Sequence, residues 1–322
     1  MRAPAFWEHD GALARALAPA GWLWELGGRV HGAFSAPFRA PVPVLCVGNF
    51  TAGGAGKTPV ALAIGERLAA RGRAVGFLSR GYGGRLAGPV AVDPSRHTAE
   101  DVGDEPLLLA AVAPTIVARD RAEGARAAVA AGIGVIVMDD GLQNPGLVKD
   151  LSLAVIDGET GFGNGRVIPA GPLRERVVVA TSRVQAAVVI GEDRAGVGHA
   201  LPRGLPRLRA DLVAENAEEF RGRRVIAFAG IGRPGKFFAS LERAGATLVA
   251  RHGFADHHRY AAGEIEALAT TAREARARLV TTAKDFVRVP EAQRGALAVL
   301  RVRAVFADEA AIDALLAGAL RG

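Results

Sequence analysis

The eight residues from Thr51 to Thr58, TAGGAGKT, restrict this chain more than any other feature. They follow an apolar run, Val42 to Val47, that reads as a buried strand, and they precede a helical pattern from about Pro59 to Arg71. A glycine-rich turn so placed lets successive backbone N–H groups converge on an anion. A lysine then reaches the outer phosphates, a Ser or Thr hydroxyl serves magnesium, and the helix presents its positive end to the same charge. Gly53, Gly54 and Gly56 supply the turns, Lys57 the ammonium and Thr58 the hydroxyl, with Ala52 and Ala55 completing the loop. Thr51 stands where the strict pattern has glycine. The expected ligand is a magnesium nucleotide.

The rest of the chain repeats the strand–helix alternation. Strands are expected at 74–78, 115–117, 135–138, 153–156 and 186–189, with helices between them. Short apolar strands alternating with helices indicate a mostly parallel sheet covered on both faces. The predicted fold is therefore α/β and P-loop NTPase-like, with a second, smaller α/β unit behind it. The expected division is a helical segment 1–40, a nucleotide-binding domain 41–190, a Gly/Pro/Arg-rich linker 191–222, and a smaller domain 223–322 closing over the site.

Charge narrows the partners. The chain carries 40 basic and 33 acidic residues for a net +7, and all but four of the basic ones are arginine. That balance attracts nucleic acid, phosphate or an anionic membrane surface. Aromatics are only 6% of the chain, and no basic motif interleaved with aromatics occurs, which argues against nucleic acid. The single cysteine, Cys46, excludes an internal disulfide framework and fits a cytoplasmic protein. All three tryptophans, Trp7, Trp22 and Trp24, fall in the first 40 residues. The apolar, interrupted stretch from Ala12 to Phe34 suits one or two short helices. These either lie in a lipid interface or pack on the protein's own core, and the sequence slightly favours packing.

A phosphate loop needs a carboxylate on a neighbouring strand to hold the metal. Val135 to Asp140, an apolar strand ending in two acids, supplies it, with Asp139 the expected metal residue. Arg80 and Tyr82, in a second glycine-rich loop, and Arg174, after a Pro-Gly turn, are candidate phosphate or substrate contacts, as is Asp140. No base-reading N-K-x-D is present, and Ala52 replaces the signature lysine of partition-type ATPases. A kinase or a nucleotide-driven ligase remains. The alternative from another class is a P-loop ATPase switch or chaperone acting on a protein or nucleic acid.

Read in order, VGNFTAGGAGKTP (47–59), LSRGYGG (78–84), VGDEP (102–106), DDGLQN (139–144), PAGPLRE (169–175), FAGIGRPGKFF (228–238), FADHH (254–258) and TTAKD (281–285) resemble the tetraacyldisaccharide 4'-kinase family. Leu142, Asn144 and Ala283 depart from that family's usual residues. The resemblance implies transfer of the ATP γ-phosphate to the 4'-hydroxyl of a tetraacylated glucosamine disaccharide 1-phosphate, with ATP and Mg2+ as cofactors. It also implies a lipid A precursor as partner and a peripheral place on the cytoplasmic face of the inner membrane. By sequence pattern alone, Asp104 reads as a helix cap. The resemblance makes it the base that accepts the hydroxyl proton, with His257 as its orienting partner and Glu105 beside the metal. With His252, Asp256 and His258, His257 could also form a metal cluster or a solvated loop, although no standard zinc spacing is present.

Overall fold

The computed structural model describes residues 4–33 and 36–321. Its first unit is a nine-stranded sheet. In chain order the strands are β1 (Val44–Gly48), β2 (Val75–Ser79), β3 (Val90–Ala91), β4 (Thr115–Val117), β5 (Val135–Asp139), β6 (Leu151–Asp157), β7 (Ala186–Ile190) and β8 (Arg207–Ala214). The second unit contributes β9 (Arg224–Ala229), β10 (Thr247–Gly253), β11 (Arg278–Thr282) and β12 (Leu297–Leu300), after which β13 (Val302–Phe306) returns to the first sheet.

The spatial order is β13-β8-β7-β6-β1-β5-β2-β4-β3 in the large sheet and β10-β9-β11-β12 in the small one. Only the two outermost pairs of the large sheet, β13 with β8 and β3 with β4, are antiparallel. The predicted parallel sheet is thus observed. Its central strands are buried on both faces, as an apolar run without alternation requires. Leu45 and Val47 join a core with the helix Lys57–Ala69, while Val44 and Cys46 join a second core on the opposite face. Gly65 lets that helix approach closely: a Cβ there would lie 2.4 Å from the Phe77 ring.

Two expected boundaries need correction. Residues 191–222 are not a linker, because they carry β8, which pairs in parallel with β7. Nor does the second domain run to the C-terminus. β13 pairs with β8, and the last helix, Glu309–Ala319, buries Ile312 and Leu316 in the core of the first sheet. The second unit is therefore inserted between β8 and β13. Asn216, at the crossing, ties both chain passages together: its side chain donates to the Val299 carbonyl at 2.9 Å and accepts from the Arg301 amide at 3.0 Å.

The N-terminal segment forms a single 3-10 turn, Ala5–Trp7, and one α-helix, Ala12–Ala33, that continues through Pro19. Phe34, where the apolar stretch was expected to end, lies outside the described residues. The helix is held at its edge rather than packed into a core. Trp24 Nε1 donates to the Arg174 carbonyl at 3.0 Å, Glu25 pairs with Arg176 at 3.0 Å, and Ala14 and Gly21 are buried. Trp22 and Leu23 are each 71% exposed and Leu26 is 57% exposed, so the helix docks by one face and leaves the other uncovered. Among the described residues no helix is long and apolar enough to cross a membrane.

Candidate active site

The carboxyl ends of β1, β2, β5 and β6 lie along one edge, where ligands of open α/β sheets bind. The phosphate loop leaves β1 at the middle of the sheet. Gly53 and Gly56 take the left-handed conformations, at φ 112° and 90°, that a residue with a side chain rarely adopts. Thr51 is not strained. It pairs with Leu173 in an isolated antiparallel bridge, and the Ala52 amide donates to the Pro172 carbonyl at 2.7 Å. An extended residue in a bridge has no need of glycine, which accounts for the departure at this position.

Thr58 Oγ1 donates to Asp139 Oδ2 at 3.0 Å, while the buried Asp139 Oδ1 has no partner among the described residues. Burial pushes this carboxyl up to about 6, with the Asp140 charge adding to the rise and Lys57 opposing it. An orphaned carboxylate oxygen beside a Thr hydroxyl is a hard-oxygen donor set that suits Mg2+. Asp140, at φ 55°, accepts two hydrogen bonds from Arg174 at 2.8 and 2.9 Å and lies 3.7 Å from Lys57 Nζ. Burial raises its carboxyl, but Lys57 and Arg174 outweigh that and hold it below the usual range. Arg174 also donates to Gln143 at 3.1 Å, so the PAGPLRE turn is stitched to the β5 end.

Across the cleft, Asp104 begins the helix Asp104–Ala110 but does not cap it; the capping residue is Gly103. Its buried carboxylate faces the second unit instead. His257 Nδ1 lies 3.0 Å from Asp104 Oδ2 and its Nε2 lies 3.5 Å from Lys284 Nζ. The carboxylate can only accept and the ammonium can only donate, so the proton of a neutral His257 belongs on Nδ1. Burial raises the Asp104 carboxyl, but hydrogen bonds from His257 and Glu105 and the Lys284 charge outweigh it, keeping Asp104 ionised. Glu105, expected beside the metal, faces Lys284 at 2.7 Å and is pushed up to about 7, chiefly by burial.

The structure therefore brings Lys57, Thr58, Asp139, Asp140 and Arg174 together, and separately joins Asp104, Glu105 and His257 with Lys284. The two groups communicate electrostatically, because the Lys284 charge reaches Asp139. Tyr82 is 67% exposed with its ring 5.4 Å from that of His257, whereas Arg80 is exposed at the strand end. Of the expected histidine cluster, His258 turns away to Glu264 at 3.1 Å. Among the described residues, the acidic and histidine side chains that do converge are Asp104, Glu105 and His257, with ligating atoms within 4.8 Å of one another. The departures Leu142, Asn144 and Ala283 have local roles. Leu142 packs over Gly48, Asn144 accepts from the Gly146 amide, and Ala283 opens a turn capped by Thr282.

Sequence reasoning missed Asp157, at the end of β6. This buried carboxylate pairs with Arg233 at 2.8 Å and Lys236 at 2.6 Å, from the loop and helix that follow β9. These contacts draw the second unit over the phosphate loop, where a Cβ on Gly232 would lie 3.8 Å from the Gly54 nitrogen. Only the acid at a strand end hinted at it.

A phosphate loop, an acid on the neighbouring strand and a second lobe folded over both define a P-loop nucleotide-binding protein. Comparison with known proteins narrows the class. The family model described as tetraacyldisaccharide-1-P 4'-kinase matches residues 13–321. A tetraacyldisaccharide 4'-kinase of Rhodospirillum centenum is 53% identical over 100% of this chain and 98% of its own length. One from Methylorubrum populi is 55% identical over 99% of both. A crystal structure of LpxK from Aquifex aeolicus in complex with ATP covers 96% of this chain and 99% of its own, with a TM-score of 0.77 at 24% identity, and shares the fold. This chain belongs to the tetraacyldisaccharide 4'-kinase family and is a kinase. A switch or chaperone role is not favoured.

Proposed function

We propose that the chain phosphorylates the 4'-hydroxyl of a tetraacylated glucosamine disaccharide 1-phosphate from ATP, with Asp104 accepting the hydroxyl proton. The observation that carries this is the Asp104–His257 contact, which places an ionised, buried carboxylate of one unit against a histidine of the other. Phosphoryl transfer is mainly positioning and charge neutralisation. Lys57 and the loop amides of residues 53–58 receive the phosphates, and Arg174 fixes Asp140 beside Lys57. Thr58 and Asp139 would hold Mg2+, which when bound neutralises phosphate charge. His257 orients Asp104 and receives the Lys284 ammonium on its far nitrogen. Closure of the second unit excludes water from the transferring group.

The substrate is a lipid, and the exposed Trp22, Leu23 and Leu26 support a peripheral seat on an anionic membrane surface, which we assign to the cytoplasmic face of the inner membrane. The deciding experiment measures ATP turnover with and without a lipid A precursor in detergent micelles. Wild-type protein should be strongly stimulated and yield a phosphorylated glycolipid. Asp104→Ala should lose about 10²–10⁴-fold in turnover while Mg–ATP binding survives. Undiminished turnover by this variant would remove Asp104 from the reaction.

A further inference from the structure

The TTAKD segment (281–285) stands out in the sequence, yet the phosphate loop and the Asp104–His257 contact account only for its lysine. Its aspartate points elsewhere. Asp285 is fully buried, accepting from the Gly230 amide at 2.8 Å, from the Tyr260 hydroxyl at 2.7 Å and from Arg288 Nη2 at 2.8 Å. Arg288 belongs to no motif, and its side chain is only 5% exposed. We propose that Arg288 is the positioning residue of the Asp104–His257 pair, holding the His257 loop in shape and setting a fixed positive charge against Asp104. The inference rests on the roles proposed above for Asp104 and His257.

Geometry supports both halves. His257 has a left-handed backbone at φ 57°, a conformation that strains a residue with a side chain and persists only when its surroundings enforce it. The His257 amide donates to the Gly230 carbonyl at 3.0 Å. Arg288 donates to that same carbonyl from Nη1 and Nη2, both at 3.0 Å, and to the His258 carbonyl at 3.2 Å. One guanidinium thus clamps the loop from both sides of the strained residue. Its Nε donates to the Lys284 carbonyl at 3.2 Å, which fixes the turn that carries the ammonium facing His257.

The same Nε lies 3.4 Å from Asp104 Oδ2, in the other unit. Arg288 therefore serves two carboxylates: Asp285 within its own unit and Asp104 across the cleft. A residue present only to balance Asp285 would have no reason to face Asp104. The planar fork is essential to this arrangement, because a lysine carries the charge but has three donors on one nitrogen, too few for the three backbone carbonyls and two carboxylates that Arg288 faces.

The test compares R288K and R288M, each alone and combined with H257A, reading kcat, KM for Mg–ATP and urea unfolding. R288K should fold and lose about tenfold or more in kcat while KM for Mg–ATP moves less than about threefold. In the H257A background the same change should cost less than about twofold further, because the residue it positions is gone. Equal fold-losses with and without His257 would overturn the inference, as would an unchanged kcat or a failure of R288K to fold. R288M, which lacks the charge, should lose more than R288K; if it does not fold, R288K decides. A fully active H257A would overturn the pairing of His257 with Asp104 itself, an outcome distinct from multiplicative losses.

Discussion

Asp139 is predicted to weaken the nucleotide-free protein for the same reason that it serves a metal. Its Oδ1 is buried without a partner, and burial raises its carboxyl from 3.8 to about 6. A folded value above the unfolded one means the folded state binds protons more tightly. The carboxyl therefore costs nothing below the unfolded value and becomes a liability as pH rises through the folded one. A rise from 3.8 to about 6 corresponds to a penalty of about 3 kcal/mol at pH 8, falling to about 0.6 kcal/mol at pH 4. Asp139→Asn removes the titration while keeping the shape and the acceptor for Thr58. The assay is urea unfolding of both proteins without nucleotide or metal at pH 8 and pH 4. The stability of the variant relative to wild type should be greater at pH 8 by about 2 kcal/mol. With Mg–ATP added, wild type should gain stability and the variant much less. A wild-type-to-variant difference that stays constant across this pH range would refute the account of Asp139 as an uncompensated buried carboxylate.

Other consequences concern the two peripheral contacts. Replacing Trp22, Leu23 and Leu26 together with Ser should reduce partitioning to anionic vesicles by at least about tenfold, since each apolar side chain contributes up to about 1.5–3 kcal/mol when buried. Unchanged binding in a vesicle flotation assay would rule out the exposed helix face as the lipid contact. Asp157→Ala should loosen the docking of the second unit by about 1–3 kcal/mol, less than for a wholly buried pair because Arg233 and Lys236 are partly exposed. Small-angle scattering should then record a larger radius of gyration. An identical scattering profile would show that these ion pairs do not hold the units together.

Much of the phosphate site is legible in the sequence because its demands are local. A tight turn needs glycine, an outer phosphate needs a flexible ammonium, and both must follow one another between a strand and a helix. Asp139 is legible for the same reason, as an acid ending an apolar strand. Long-range pairing is less readable. β8 and β13 alternate exposed and buried positions, with Arg207 and Arg209 on the exposed side, so they lack the apolar run that marks the central strands. Their pairing joins residues about 90 positions apart, across the whole second unit. Pro19 suggests a break, yet the helix passes through it. Arg288 is illegible in principle: it is one of 36 arginines and lies outside every motif, and its role depends on backbone carbonyls at Gly230 and His258, which side-chain identity does not announce.

The return of β13 and the final helix to the first sheet has a consequence for synthesis. The ribosome delivers the nucleotide-binding half almost whole, then the entire inserted lobe, and only at the end the strand and helix that cover β8 and the phosphate-loop helix. Until then β8 presents an unpaired edge, and the surface that will receive Ile312 and Leu316 stays wet. The inserted lobe can reach its own minimum while the older half still waits. A nascent chain stalled just before β13 would thus carry a finished lid on an unfinished base.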